Sequence, residues 1–426
     1  MRSSCCITTA VRSLLTLFVA AMLFTTLLLE PHSVQAQTLT VLHNFTGGQD
    51  GASPRAGLSM DAAGNLYGTA STGGSSNCEG GCGTVFRLSN RGSGWTLAPL
   101  YNFTGMPDGQ YPAGKLSFGP NGALFGTTSY GGVTNQNQCS GSGTGCGTIF
   151  SLRPPATFCR TAICFWTEQQ LYQFTGNDDG GTPNGDIAFD SAGDLFGAGY
   201  NAGFFGDGVV WELTPSGGSW TESVPYYFSG SDGVNPASGV TLDSSGNIYG
   251  TTRFGGMYGL GIVFQLTRSG SSWLENILQN FNGPNGAQPL GGLLLDASGN
   301  IYGTTNRGGA GGLGGQAFEL MPSGGSWTDS ILYSFTGESG PGGDLVMDSA
   351  GNLYGTTIQE GANNDGTIFK LTPSGGSWIY TSLHDFNGQD GAQPRGSIVL
   401  DANGNLFGTT TGGGPHNQGV VWELTP

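Results

Sequence analysis

"DAAGNLYGTA", residues Asp61 to Ala70, is written again and again along this chain. It returns as "DSAGDLFGAG" from Asp190, "DSSGNIYGTT" from Asp243, "DASGNIYGTT" from Asp296, "DSAGNLYGTT" from Asp348 and "DANGNLFGTT" from Asp401. A blunted copy, "GPNGALFGTT", starts at Gly119. The seven copies start at positions 61, 119, 190, 243, 296, 348 and 401, so most are about 53 residues apart. In D-x-x-G-N the carboxylate can accept a backbone N–H two residues on, and the glycine can take positive φ. That is tight-turn chemistry, and L-Y-G-T-T then opens a strand whose glycine permits a close approach. Recurrence at one structural position points to folding rather than catalysis. Calcium would need six to eight oxygens, and the turn at Asp61 and most of its counterparts offer one carboxylate.

Two further signatures complete each unit. G-x-(V/I/A)-(F/W)-x-L reads "GTVFRL" from Gly83, "GIVFQL" from Gly261 and "GVVWEL" from Gly419. A Trp-led strand ending in Phe follows, as in "WTDSILYSF" (Trp327 to Phe335). Four short β-type runs per unit, seven units long, predict an all-β, seven-bladed β-propeller of four-stranded blades over residues 37–426. A solenoid is the competitor, but it needs distinct caps. Here "TLTVLHNF" (Thr38 to Phe45) is a fourth strand without its first three, and "GVVWELTP" (Gly419 to Pro426) a third without its fourth. The N-terminal strand is therefore expected to complete the last blade.

Residues 1–36 read as a secretory signal peptide: Arg2 and Arg12, an apolar run from Leu14 to Leu29, then small residues at Val34 and Ala36. The run is shorter than the ~20 residues that span a bilayer. The expected locations are extracellular or periplasmic, with no membrane insertion after cleavage.

Glycine makes up 80 of 426 residues and charged residues 10%, yet 11% of the chain is aromatic, enough for a core. Net charge is −16 with only 13 Lys and Arg, which leaves no basic stripe for nucleic acid. After the leader, six cysteines remain as three local couples: Cys78 and Cys82, Cys139 and Cys146, Cys159 and Cys164. Local disulfides are expected; the spacings do not match zinc-binding C-x-x-C pairs, and no metal or cofactor is predicted.

The three signatures together resemble the choice-of-anchor tandem repeat GloVer-containing proteins, exported bacterial proteins with varied surface-sorting ends. The resemblance runs from Thr38 to Pro426 and implies export and the repeat class; it supplies no active site.

No G-x-S-x-G elbow or H-E-x-x-H pattern is present. The strongest candidates lie in loops joining the fourth strand of one unit to the first of the next: Asp50, Asp108, Asp179, Asp232 and Asp390. Gathered around one channel mouth they could hold a structural cation or a polyhydroxylated ligand; the alternative is an Asp–Gly turn repeated for blade geometry. In the variable loops between strands two and three, Phe204, Phe205, Tyr258, Arg253 and Arg307 suit stacking and hydrogen bonding to sugars, or else tuck under their own loops. The chain thus reads as a monomeric binding module for a polysaccharide or cell-surface protein through its loop-rich face. A propeller hydrolase, lactonase or lyase using channel-mouth carboxylates, and a passive envelope protein, are the alternatives.

Overall fold

Each repeat folds as one four-stranded sheet. In the first blade the strands are Ser59–Met60, Leu66–Ala70, Thr84–Asn90 and Trp95–Asn102, in that order from the channel outward. The computed structural model describes residues 37–92, 94–133, 139, 144–155, 166–310 and 312–426, and seven such sheets are found among them. The second and sixth blades carry an extra short strand, Gly109–Pro112 and Ser339–Pro341. The seventh holds Val399–Leu400, Leu406–Thr410 and Val420–Thr425, and its fourth strand is Thr38–Asn44 from the other end of the chain. The expected N-terminal closure is therefore present.

The quoted turn behaves as its residues dictate. Asp243 accepts the backbone N–H groups of Ser245 and Asn247 at 2.8 and 2.9 Å. Its second oxygen takes the Asn247 amide at 2.8 Å and the Tyr249 hydroxyl at 3.1 Å. Burial raises this carboxyl, but the bonds from Asn247, Ser245 and Tyr249 outweigh it and hold the group below the usual range. Asp61 and Asp348 are held down in the same way.

Why the next word is always Tyr/Phe-Gly becomes clear from the sheet. Gly250 faces Phe264 across the ladder, and a methyl on it would lie 2.5 Å from the Phe264 ring. The same contact recurs from Gly68 to Phe86 and from Gly408 to Trp422. The glycine thus makes room for the third-strand ring inside its own blade.

That ring is also the joint between blades. The Phe ending each fourth strand meets the third-strand aromatic of the next blade edge-on or tilted: Phe103 with Phe150 at 5.1 Å, Phe174 with Trp211 at 6.0 Å, Phe281 with Phe318 at 5.4 Å. At the closure, Phe386 reaches Trp422 at 6.0 Å and Phe45 reaches Phe86 at 5.3 Å. Phe45, Phe103 and Phe386 are fully buried, worth about 2–3 kcal/mol each. Phe45, Leu58, Leu66, Phe86 and Leu88 share one core with Phe407 and Val421, joining the first blade to the last.

The first Thr of G-T-T latches blades near the axis. Thr127 Oγ1 donates to the Gly185 carbonyl at 3.2 Å, Thr251 to Gly291 at 3.2 Å, and Thr409 to Ala56 at 3.0 Å across the closure. The receiving strands are so close that a methyl on Gly185 would lie 2.0 Å from the Gly239 nitrogen.

Cys78–Cys82 and Cys139–Cys146 are bridged, with Cα atoms 5.1 and 5.2 Å apart, so each pins one variable loop. Cys159 and Cys164 lie outside the described residues, as do residues 1–36.

Candidate functional site

The repeat word D-G-x-x-P sets the geometry of the channel mouth. Pro54, Pro183, Pro236, Pro289 and Pro394 each come to rest against the glycine that opens the preceding blade's third strand. The residue before each proline, such as Asn235 (φ 56°) or Gln393 (φ 55°), is left-handed and donates its N–H to the preceding blade, Asn235 to the Asp207 carbonyl at 2.7 Å. With the proline fixed on both sides, the residue after it projects to the axis. Across the seven blades that residue is Arg55, Ala113, Asn184, Ala237, Leu290, Gly342 and Arg395.

These residues line a central cavity of about 500 Å³. The wall also takes the residues that leave the second strands, among them Tyr130, Tyr200, Arg253 and Ile358. The two loop sets share one face because they bridge each other within a blade, Val234 to Phe254 and Ala392 to Gly412. Tyr111 and Tyr130 approach at 5.9 Å between ring centroids, and the Arg55 guanidinium lies 5.2 Å over the Tyr111 ring. Ser129 donates to the Asn184 side chain at 2.6 Å, and Ser238 and Ser397 complete the polar wall.

Charge in this cavity is mixed. Burial, and then Arg55 and Arg253 beside it, depress the Arg395 guanidinium, partly offset by Tyr111. Deeper, Asp186 accepts the Lys115 N–H at 2.8 Å, and Asp344 accepts the Gly292 N–H, each stapling its blade to the one before. Burial and the neighbouring Asp344 push the Asp186 carboxyl up, against the pull of Lys115.

The five aspartates singled out from sequence do not line this cavity. Each closes the turn that carries it. Asp179 accepts Thr175 N–H and Oγ1 at 2.7 and 2.8 Å and the Tyr172 hydroxyl at 3.0 Å. Asp108 does the same with Thr104 and Tyr101, and Asp232 with Ser229 and Tyr226. In Asp50 and Asp390 a histidine stands in for the tyrosine: His43 Nε2 and His384 Nε2 each sit 3.0 Å away. These bonds tie the loop to the outermost strand, away from the axis.

Of the loop residues, Arg253 alone lines the cavity. Arg307 donates to the Glu338 carbonyl at 2.8 Å. Phe204 and Phe205 form an edge-to-face pair at 4.9 Å with 70% and 56% of their surfaces exposed, and Tyr258 is 55% exposed. They do not tuck under their own loops. Arg55, Arg395, Tyr111, Tyr130 and Tyr200 escaped sequence reasoning. For Arg55 and Arg395 the signal was present: the position after proline carries a varying residue in a constant frame.

Among the described residues, no group of three or more His, Cys, Asp or Glu is placed to hold a metal ion, and no helix is long and apolar enough to cross a membrane. No curated protein matches the chain. Several solved structures are similar to it. A candidate 6-phosphogluconolactonase of Bacteroides uniformis aligns over 81% of this chain and 88% of its own, at 14% identity and a TM-score of 0.49. The extracellular domain of a candidate one-component system of B. thetaiotaomicron aligns over 91% of this chain and 40% of its own, at 11% identity and 0.51. PorZ, a surface component of the type-IX secretion system of Porphyromonas gingivalis, aligns over 86% and 46%, at 15% identity and 0.49. At such identities the likeness is one of fold. The Gloeobacter/Verrucomicrobia repeat matches residues 31–165, 137–273 and 238–426, so with its repeats and blades now in view the chain belongs to that repeat family.

Proposed function

We propose that this chain is an exported binding module that seats a polyhydroxylated ligand, the end or a short stretch of a glycan, in the central cavity of its loop-rich face. The observation that carries this reading is the lining: three tyrosines, Tyr111, Tyr130 and Tyr200, set among Asn184, Ser129, Ser238 and Ser397 around about 500 Å³. Flat rings stack on the apolar faces of sugars, while amides and hydroxyls match their rims. The volume suits one to three sugar rings. Export is supported by two local disulfides, which persist in oxidising compartments, and by the leader-like first 36 residues. The exposed Phe204–Phe205 pair and Tyr258 extend an aromatic surface on the variable loops.

The test is a glycan array probed with the purified chain from Gln37, followed by calorimetry on the best hit with Tyr130→Ala and Tyr200→Ala. Binding that weakens about tenfold or more on losing a ring supports the reading. Silence across neutral and acidic polysaccharides and cell-wall fragments refutes it. A catalytic reading is favoured by one feature, the carboxyl pair Asp186 and Asp344 in the same cavity wall. Turnover of any bound glycan that survives Asp186→Asn would remove that pair from consideration.

A further inference from the structure

Thirteen Lys and Arg serve this whole sequence, against 29 Asp and Glu. Three of the thirteen, Arg55, Arg253 and Arg395, meet in one cavity. They reach it from different blades: Arg55 and Arg395 by the position after proline, Arg253 from the end of a second strand. Nothing in the fold demands them there. The positions equivalent to Arg55 and Arg395 in the other blades hold Ala113, Asn184, Ala237, Leu290 and Gly342, and those equivalent to Arg253 include Ser129, Tyr200 and Ile358, all on the same backbone frame.

Nor are they spent on structure. Among the described residues the ion pairs are His43–Asp50, Arg268–Glu212 and His384–Asp390, and none involves these three. Arg253 Nε is buried with no hydrogen-bond partner, an expensive condition for a charged donor. Arg395 is half-buried and repelled by both Arg55 and Arg253. The two carboxylates in the wall are occupied elsewhere, Asp186 by the Lys115 N–H and Asp344 by the Gly292 N–H. Arg55 is steadied over Tyr111 and Arg253 over its neighbour Phe254, at 5.2 and 5.0 Å, which holds the forks in place without neutralising them. An acidic protein has thus collected three arginines at its axis, beside three tyrosines, and among the described residues none of them is ion-paired with Asp186 or Asp344.

We infer that the ligand of this cavity is an anionic glycan, whose oxyanion, a uronate carboxylate or a sulfate ester, is held by Arg55, Arg253 and Arg395 while its ring lies among the tyrosines. The inference rests on the binding reading above and adds the charge. Guanidinium forks suit such oxyanions because two parallel N–H groups match two oxygens. The net negative charge of the rest of the molecule disfavours distant, unspecific adhesion to the same polymers, so recognition is confined to the mouth.

The experiment uses the chain from Gln37 and three probes in calorimetry: trigalacturonate, its methyl ester, and a sulfated galactan oligosaccharide of similar length. The expected result is binding of at least one anionic probe at least tenfold tighter than the ester, weakening as salt rises. Which anion binds better separates the carboxylate from the sulfate source. Arg55→Gln, Arg253→Gln and Arg395→Gln should each lose about tenfold for the anion and little for the ester, and Arg395→Lys should recover part of the loss. Arg307→Gln, whose guanidinium is engaged at Glu338 outside the cavity, should change nothing. A second readout does not depend on the ligand: relieving the repulsion, Arg395→Gln should raise the melting temperature of the free protein. Equal affinity for acid and ester overturns the anion while leaving a glycan module standing. Failure of every glycan overturns both. A lower melting temperature for unliganded Arg395→Gln would also count against the inference, because it would make the arginine a structural support.

Discussion

Raising the pH from 5 to 8 should destabilise this protein through three repeated contacts between neighbouring blades. Glu168, Glu222 and Glu275 occupy the same place, two residues after the tryptophan of the outermost strand. Each faces the turn aspartate of the preceding blade, Asp108, Asp179 and Asp232, with Tyr101, Tyr172 and Tyr226 bonded to those aspartates. Burial first, and then the facing aspartate, push each glutamate up to about 7 from an ordinary 4.5. One carboxylate oxygen of Glu222 and one of Glu275 are buried without a partner, as an acid poised to keep its proton would be. A folded-state value above the unfolded one means that the native state holds the extra proton. The stabilisation is complete below about pH 4.5 and is lost as pH rises through about 7. The displacement is nominally about 3 kcal/mol per site. Water reaches these half-buried groups, so screening leaves about 1 kcal/mol each and about 3 in all. Melting followed by circular dichroism at pH 5 and pH 8 should show a loss of a few degrees. The triple variant Glu168→Gln, Glu222→Gln, Glu275→Gln should lose most of that slope and exceed the parent at pH 8. If the variant keeps the full slope, the paired carboxyls are not its source, and general repulsion at net charge −16 is.

At the acid end the sign reverses. Asp243→Ala removes four hydrogen bonds from one hairpin and should cost about 2 kcal/mol at pH 7, with a deficit that shrinks as the pH falls through the depressed value at which the native carboxylate takes up its proton. Phe281→Ala empties an inter-blade joint and should cost about 3–5 kcal/mol in urea unfolding. Gly250→Ala drives a methyl to 2.5 Å from the Phe264 ring, which meets Phe228 of the preceding blade at 5.1 Å, and should cost about 1–3 kcal/mol. Deleting residues 37–45 strips the fourth strand and Phe45 from the last blade, so the melt should broaden and protease should cut first within residues 399–425. Joining the two ends through a short linker and opening the chain between two other blades should preserve a cooperative melt.

Much of the fold was legible because a propeller states its joints once per blade. Asp243 and its siblings could be read as turns from one rule about carboxylates and backbone N–H groups, and the split blade followed from "TLTVLHNF" and "GVVWELTP" standing at opposite ends. The glycine of Y-G-T-T was legible as a close approach but not as to what. Only the register Gly250 opposite Phe264 reveals a ring lying within the same sheet. The site was harder. Asp179 attracted notice because it repeats, yet repetition in a closed ring marks what every blade must do to fold. Its hydroxyl and backbone partners, Thr175 and Tyr172, sit in the same signature and consume the carboxylate.

A sevenfold fold has to break its own symmetry to recognise anything less symmetric than a ring. The same reasoning that demotes Asp179 therefore promotes Arg55 and Arg395. Proline and the left-handed residue before it lock the backbone that leads into one position. A side chain there can vary without disturbing the turn, and because the turn points it at the axis, its variation is felt in one shared cavity. Two blades placed arginine at that position and a third sent Arg253 to meet them, while the remaining blades placed small, apolar or amide residues. Three guanidinium groups thus gather at the axis of a chain that is otherwise poor in positive charge. Propeller recognition sites of this kind are found by subtracting the repeat: align the blades, discard every position that the joints explain, and ask what the residue left over is doing at the axis.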